Sequence, residues 1–395
     1  MRRCIGRQDM KRLRRALCAL GLLAAAAQFG CAAPGPDGAT VASAVSAAAD
    51  AEETEGPVDR AAAAAVHWQR VRLGSGARAY DFPVYANHAL DGDLRRIREV
   101  VFVQHGLQRN GDDYFVAGAA LLRQTGRNPD EVLLLAPNFP GTPDRNKGFG
   151  NMPVWSVQGW MSGENAVGGP VPVSSLQVLD DLVGLVTDKS RLPAVTRVTV
   201  AGHSGGGQLV HRYAVLNNVD ERIRASGIDL RYVVANPSSY LYFTPERPSG
   251  SGFAPYDTAV CADYDKYRYG MRDIVPYAQG ATGDALFRRY RQRQVTYLVG
   301  ADDNDPNHRV LDKACGAEAE GPTRLARARG YLRYEAWLSA RPGGPAAPAH
   351  HQAFEVIGVG HNQSRMLGSQ CGARAVFGLA ESANAGGAAC RAPRL

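Results

Sequence analysis

Val198-Thr199-Val200-Ala201-Gly202-His203-Ser204-Gly205-Gly206-Gly207 is the stretch on which the fold is decided. Its first four residues, rich in β-branched types, read as a buried strand. They run straight into a serine flanked by glycines, and a helical pattern follows from about Gly205 to Leu216. A serine on so tight a strand-to-helix turn sits in strained backbone, and the flanking glycines remove the clashes that would forbid it. The turn lifts Ser204 Oγ out of the sheet and puts the Gly205 amide at a helix N-terminus, beside any developing oxyanion. The stretch lacks the Gly-Lys-Ser/Thr ending of a P-loop, and its glycine spacing does not match a dinucleotide fingerprint.

Outward from this turn, short apolar runs alternate with helical patterns. Val100-Val101-Phe102-Val103-Gln104 and Val132-Leu133-Leu134-Leu135-Ala136 precede it. Tyr232-Val233-Val234-Ala235, Val295-Thr296-Tyr297-Leu298-Val299 and Phe354-Glu355-Val356-Ile357 follow it. Tyr114–Arg123, and the set Leu176, Leu179, Val183 and Val186, carry helical patterns between them. Such interleaving predicts an α/β fold with a mostly parallel, doubly wound sheet covered on both faces. In such sheets functional groups gather at the carboxyl ends of the strands.

Val198–Leu209 resembles the nucleophile elbow of the α/β-hydrolase superfamily, and the similarity extends from about Val100 to Phe377. The resemblance implies a serine hydrolase with nucleophile, acid and histidine in that chain order. Ser204 is the expected nucleophile. Superfamily members often show Gly-x-x-Asp after the acid-bearing strand, and Gly300-Ala301-Asp302-Asp303 places Asp303 first, with Asp302 second and Asp305 third. An EF-hand loop starting at Asp303 would need Gly where His308 stands and Glu where Ala314 stands, so the metal reading fails on spacing.

The base is expected after the last strand. Of nine histidines, His361 in Gly358-Val359-Gly360-His361-Asn362 is the one immediately beyond a late strand and before a closing helix near Met366–Leu379. His350 and His351 precede that strand and are expected to face solvent. His105-Gly106-Leu107 resembles the superfamily's His-Gly-x loop, so the Leu107 amide, with Gln108 second, is expected to join Gly205 in an oxyanion hole. Imidazole base, hydroxyl nucleophile and oxyanion hole together specify acyl transfer through an acyl-enzyme. No metal or organic cofactor is implied.

Two long irregular stretches, about 138–172 and 236–290, are expected as lid or cap insertions. They carry Phe149, Trp155 and Trp160, and then Tyr240, Tyr242, Phe243, Tyr256, Tyr264, Tyr267 and Tyr269. As pocket walls these rings suit a neutral or apolar acyl group; as packing they seat the insertions on the body. Both readings stand. No cluster of Arg or Lys demands an anionic substrate, so carboxylic ester hydrolysis, on a small-molecule or polymeric ester, is the expected activity. A peptidase or amidase of the same fold is one alternative. A non-catalytic exported binding protein is another, and the complete set Ser204, Asp303, His361 argues against it.

The chain has 395 residues and a formal net charge of +7. Residues 1–31 carry seven basic side chains and one acid, which leaves the rest at +1 and removes the support for a nucleic-acid partner. Those residues are a basic stretch up to Arg15 and the apolar run Ala16–Ala27, which read as an export signal. Gly30-Cys31 resembles the end of a bacterial lipoprotein signal, with Cys31 the lipidated residue and membrane anchor; cleavage after Ala27 or Ala33 is the alternative. Residues 32–65, rich in Ala, Gly, Pro and acids, read as a flexible tether, and residues 66–395 as the hydrolase domain. The expected destination is the periplasm or outer membrane as a lipoprotein, alternatively the medium as a secreted protein. Cys261, Cys315, Cys371 and Cys390 remain, with no CxxC knuckle among them, so two disulfides are expected. Proximity in sequence favours Cys261–Cys315 and Cys371–Cys390.

Overall fold

A computed structural model of the chain describes residues 67–341, 349–380 and 385–395. The residues read as an export signal and a tether, Cys31 among them, lie outside the described residues. Strands β1 (Gln69–Leu73), β2 (Tyr80–Ala86), β3 (Glu99–Gln104), β4 (Val132–Pro137), β5 (Arg197–His203) and β6 (Asp229–Ala235) are followed by a hairpin, β7 (Glu246–Ser249) and β8 (Gly252–Pro255). Strands β9 (Gln294–Gly300), β10 (His351–Val356) and β11 (Cys390–Arg391) complete the set among the described residues. The helices are α1 (Gly111–Gln124), α2 (Gly159–Ser162), α3 (Ser175–Val186), α4 (Gly205–Leu216), α5 (Asp220–Ala225), α6 (Gly283–Tyr290), α7 (Cys315–Glu318), α8 (Arg324–Ala340), α9 (Gln363–Leu367) and α10 (Gln370–Phe377).

One sheet runs in the order β1-β2-β4-β3-β5-β6-β9-β10-β11. The pairs from β4 through β10 are parallel, and β1, β2 and β11 add antiparallel edges. Its central strands are buried on both faces, which is why they read as near-continuous apolar runs. β3 sends Val100 and Phe102 into one core with Leu179, Val183 and Tyr213, and Val101 and Val103 into the opposite core with Tyr114, Met366 and Phe377. That two-sided burial is the doubly wound arrangement expected from the sequence.

The expected strands and helices fall on β3, β4, β5, β6, β9, β10, α1, α3 and α4. The closing helix is two helices, because the Ser369 hydroxyl accepts from the Gly372 amide at 3.0 Å and starts α10 afresh. Both disulfides pair as proximity favoured, Cys261–Cys315 and Cys371–Cys390, with Cα separations of 5.8 and 6.0 Å. The aromatic residues of the two insertions go mainly to packing: Trp155, Trp160, Tyr240, Tyr242 and Phe243 are all buried in the principal core. The expectation for His351 is corrected. His350 is exposed, but His351 lies inside β10 with its side chain buried against Glu335, Nδ1 to Oε2 at 2.9 Å.

Candidate active site

Ser204 joins β5 to α4 with φ 58° and ψ −122°, a conformation that costs a non-glycine residue about 1–3 kcal/mol. The surrounding structure leaves it no other. The Ser204 amide donates to the Ala235 carbonyl at 3.0 Å, and Gly202, Gly206 and Gly207 are pressed against backbone. A Cβ on Gly202 would stand 2.3 Å from the Gly206 carbonyl oxygen, and one on Gly206 would stand 2.3 Å from that of Gln104. Only glycine lets α4 start so close to β3 and β5.

His361 follows β10, and its imidazole bridges the other two expected residues. Ser204 Oγ donates to His361 Nε2 at 2.9 Å, and His361 Nδ1 donates to Asp303 Oδ2 at 2.9 Å. A carboxylate only accepts, so it fixes the proton on Nδ1 and leaves Nε2 free to accept. The side chains of His361 and Asp303 are 2% and 3% exposed, so water does not compete for these bonds. Asp302 is exposed and Asp305 is exposed; of the three aspartates, Asp303 reaches the ring.

Electrostatics follow from that burial. Burial lowers the His361 pKa to about 4, with the Arg324 guanidinium acting in the same direction and Asp303 opposing. Burial alone would raise the Asp303 carboxyl, but His361 and Arg324 outweigh it and hold it well below the usual carboxylate range. Neutral imidazole beside ionised carboxylate is the charge state a general base requires.

Two residues missed at the sequence level complete the carboxylate's surroundings. Asn236, at φ 46° just beyond β6, donates from Nδ2 to Asp303 Oδ2 at 2.6 Å and accepts the Gly300 amide on Oδ1 at 3.3 Å. Arg324, the first residue of α8, donates from Nη1 to Asp303 Oδ1 at 3.2 Å. The available signals were Asn236-Pro237 directly after a strand, a turn dipeptide that tolerates φ > 0, and Thr323 as the cap of a helix.

The Leu107 amide lies beside Gly205. The Leu107 nitrogen is 3.2 Å from where a Cβ on Gly205 would be, and neither amide has a protein acceptor among the described residues. The loop that carries Leu107 is held from behind. His105 Nε2 accepts the Phe139 amide at 2.9 Å, and burial lowers its pKa to about 3, which keeps the ring neutral. Arg109, at φ 60°, donates from Nη1 to the Leu107 carbonyl at 2.7 Å and from Nε to Asp144.

Ser204, Leu107 and Gly205 open into a cavity of about 540 Å³. Gln158 and Met161 come from the first insertion, and Ser238 and Arg268 from the second. The remaining wall is 309–314, a segment the sequence reading did not assign to the pocket. None of the tryptophans, phenylalanines or tyrosines of the insertions lines this cavity. The wall also carries Arg268, from the second insertion, and Arg309 and Lys313, from the one segment 309–314. A larger cavity, about 780 Å³, lies at the other end of the strands by Arg231, Gln352 and Cys371, and shares no residue with the site.

The sequence matches no family model, and no curated protein matches it significantly. Solved structures do. A poly(3-hydroxybutyrate) depolymerase from Bordetella parapertussis superposes with a TM-score of 0.54 at 23% identity, covering 79% of this chain and 91% of that one. Poly(aspartic acid) hydrolase-1 from Sphingomonas sp. KT-1 gives a TM-score of 0.53 at 20% identity, covering 79% of this chain and 98% of that one. With the strand order and the β5–Ser204–α4 elbow, this likeness establishes that the chain has the α/β-hydrolase fold.

Proposed function

We propose that the protein is an exported serine hydrolase that cleaves carboxylic esters through an acyl-enzyme. The observation that carries this reading is the unbroken hydrogen-bonded order Ser204–His361–Asp303 beside the amides of Leu107 and Gly205. His361 Nε2 takes the Ser204 proton as Oγ bonds to the ester carbonyl carbon, and the carbonyl oxygen gains negative charge between the two amides. Donors so placed contribute a few kcal/mol to the transition state, about 3 kcal/mol for one of them. Asp303 keeps the imidazole in the accepting tautomer and stabilises the imidazolium. The imidazolium then protonates the departing alkoxide, which leaves as the alcohol and frees His361 to activate water. Attack of that water on the acyl carbon releases the acid and returns the proton to Ser204.

Ester substrates come first because ester cleavage needs no stronger assistance to the leaving group than this histidine provides. By their names, the two similar structures act on polymers, which keeps polymeric esters beside small ones as substrates. Two disulfides fit an oxidising compartment, and with the basic–apolar N-terminus they support export, with Cys31 as the site of lipid attachment.

A fluorophosphonate probe tests the core of this reading. Wild-type protein should label stoichiometrically and hydrolyse 4-nitrophenyl esters, and Ser204→Ala should do neither. Equal labelling of both proteins would remove Ser204 from the role of nucleophile, and faster turnover of matched amides would make the protein an amidase.

A further inference from the structure

We propose that Arg109 is a positioning residue for the oxyanion hole, and that Asp144 of the first insertion holds it in place; the proposal rests on the hydrolase reading of the same site. β3 ends at Gln104, and the chain leads through a turn to α1 at Gly111. The Arg109 amide donates to the Gly106 carbonyl at 3.2 Å and closes a four-residue turn with Leu107 in second place. Leu107 lines the cavity beside Ser204 and Gly205, whereas Arg109 and Asp144 do not line it. Any effect of these two on the reaction therefore passes through the turn.

A trans peptide points its C=O and its N–H in opposite directions. The Gly106–Leu107 peptide is trans, so whatever grips the Gly106 carbonyl sets the direction of the Leu107 N–H. Two donors grip it, the Arg109 amide and, at 2.9 Å, His105 Nδ1. His105 Nε2 already accepts the Phe139 amide, which leaves the ring proton on Nδ1 to donate. The next peptide is held as well, because Arg109 Nη1 donates to the Leu107 carbonyl at 2.7 Å. Both peptide planes that flank Leu107 are thus fixed by Arg109, one through its backbone and one through its guanidinium.

The turn alone does not call for this side chain. Arg109 holds φ 60°, a region that glycine adopts freely and other residues seldom do. Glycine would close the same turn with less strain, so the guanidinium and its bonds are what the residue adds. Its anchor lies in the first insertion: Arg109 Nε donates to Asp144 Oδ2, which also accepts the Gly141 amide at 2.8 Å. The two side chains are 6% and 5% exposed, so water does not compete for the pair. The same insertion sets Met161 beside Gly205, with its Sδ 2.5 Å from where a Cβ would stand. Both residues of the oxyanion hole therefore abut one insertion, Leu107 through Arg109 and Asp144, and Gly205 through Met161.

The test separates aim from support. Turnover of a 4-nitrophenyl ester is measured per site titrated to completion with a fluorophosphonate, so that only competent protein is counted. Arg109→Gln should lower kcat about 10- to 100-fold with KM near wild type, short of the roughly 100- to 1000-fold for outright loss of an oxyanion donor. Arg109→Lys keeps the charge but lacks the fork that reaches Asp144 and the Leu107 carbonyl together, so its kcat should lie between wild type and Arg109→Gln. Asp144→Asn keeps the shape and an acceptor for Arg109 Nε, and should cost less than Arg109→Gln. A trifluoromethyl ketone with the same acyl chain gives a second readout: Ser204 Oγ bonds to its carbonyl carbon, the proton passes to His361, and the ketone oxygen becomes an oxyanion. Its Ki should rise across the three variants in step with the loss of kcat/KM. Losses confined to Tm and to the number of titratable sites, with kcat per site and Ki unchanged, overturn the proposal and make the pair a brace. A rise in KM with kcat unchanged overturns it too. Absence of Ser204-dependent turnover in the wild type is a different result, which sinks the hydrolase reading itself.

Discussion

Arg324 Nη1 donates to Oδ1 of Asp303 at 3.2 Å while His361 Nδ1 occupies Oδ2 of the same carboxylate at 2.9 Å. The guanidinium also reaches Ser238 Oγ at 2.9 Å, the Val310 carbonyl at 2.8 Å and His308 Nδ1 at 3.2 Å. One buried side chain thus ties α8 to the ends of β6 and β9 and to the segment that walls the cavity. Its charge opposes protonation of His361, so it favours the neutral imidazole.

The pH profile should report that opposition. The proposed mechanism needs neutral His361, so kcat/KM should fall on the acid side near pH 4, where burial and Arg324 put the imidazole. Arg324→Gln removes a cation that disfavours the imidazolium; the pKa rises, and the acid limb moves up by about one pH unit. Arg324→Lys keeps the charge and should keep the limb close to its native position even if kcat falls. Initial rates on one ester from about pH 3 to about pH 8 decide it. A limb that stays put in Arg324→Gln would mean that the guanidinium only braces the fold.

Asn236 should affect turnover more than binding. It touches Asp303, Gly300 and the Gly360 carbonyl but does not line the cavity, so its loss disturbs the orientation of the acid and not the substrate's seat. Asn236→Ala also places alanine at φ 46°, where it is strained. Loss of a hydrogen bond to a carboxylate, about 1.5–3 kcal/mol, should lower kcat roughly 10- to 100-fold with little change in KM. Steady-state kinetics normalised to fluorophosphonate-titrated sites measure this, and a rise in KM alone would speak against an orienting role.

The sequence disclosed the elbow and the strand ends because both are local. Val198–Ala201, the glycines around Ser204 and the helix to Leu216 lie within one short run, and His361 and Asp303 each follow a recognisable apolar strand. The pocket wall is different in kind. Arg268 and the segment 309–314 are separated by tens of residues, and no periodicity announces that they converge. Trp155 and Trp160 illustrate a related limit: a ring in an irregular segment looks the same whether it walls a cavity or fills a core. β2 was hidden by Pro83 and Asp81, which break the apolar run, and β11 by having two residues.

The Cys261–Cys315 disulfide should control both stability and substrate affinity. Cys315 directly follows the cavity segment 309–314, and Cys261 anchors it to the second insertion. Closing a loop of 54 residues is worth about 2–4 kcal/mol. Cys261→Ser/Cys315→Ser should therefore melt earlier by calorimetry and show a higher KM for esters, because the wall is no longer tethered. A similar loss should appear in wild-type protein after reduction. An unchanged KM would separate the tether from the cavity.

Glu355 should make stability depend on acid. Its carboxylate, on β10, accepts from Arg329 Nε at 2.6 Å, from Arg391 Nε at 2.9 Å and from the Arg394 amide at 3.2 Å, joining α8, β10 and β11. Burial would raise its pKa, but these donors outweigh burial and lower it from 4.5 to about 2. A depressed carboxyl stabilises the folded state fully above its unfolded value and loses that contribution as pH falls from about 4.5 through about 2. Glu355→Gln should thus destabilise the protein at neutral pH by about 2 kcal/mol, below the usual cost of breaking a fully buried pair because the arginine side chains are 30% and 33% exposed. Urea unfolding at successive pH values checks the sign: the gap between wild type and variant should be constant above about pH 5 and narrow below it. A gap that persists undiminished into acid would mean that the carboxylate's charge is not what joins these three elements.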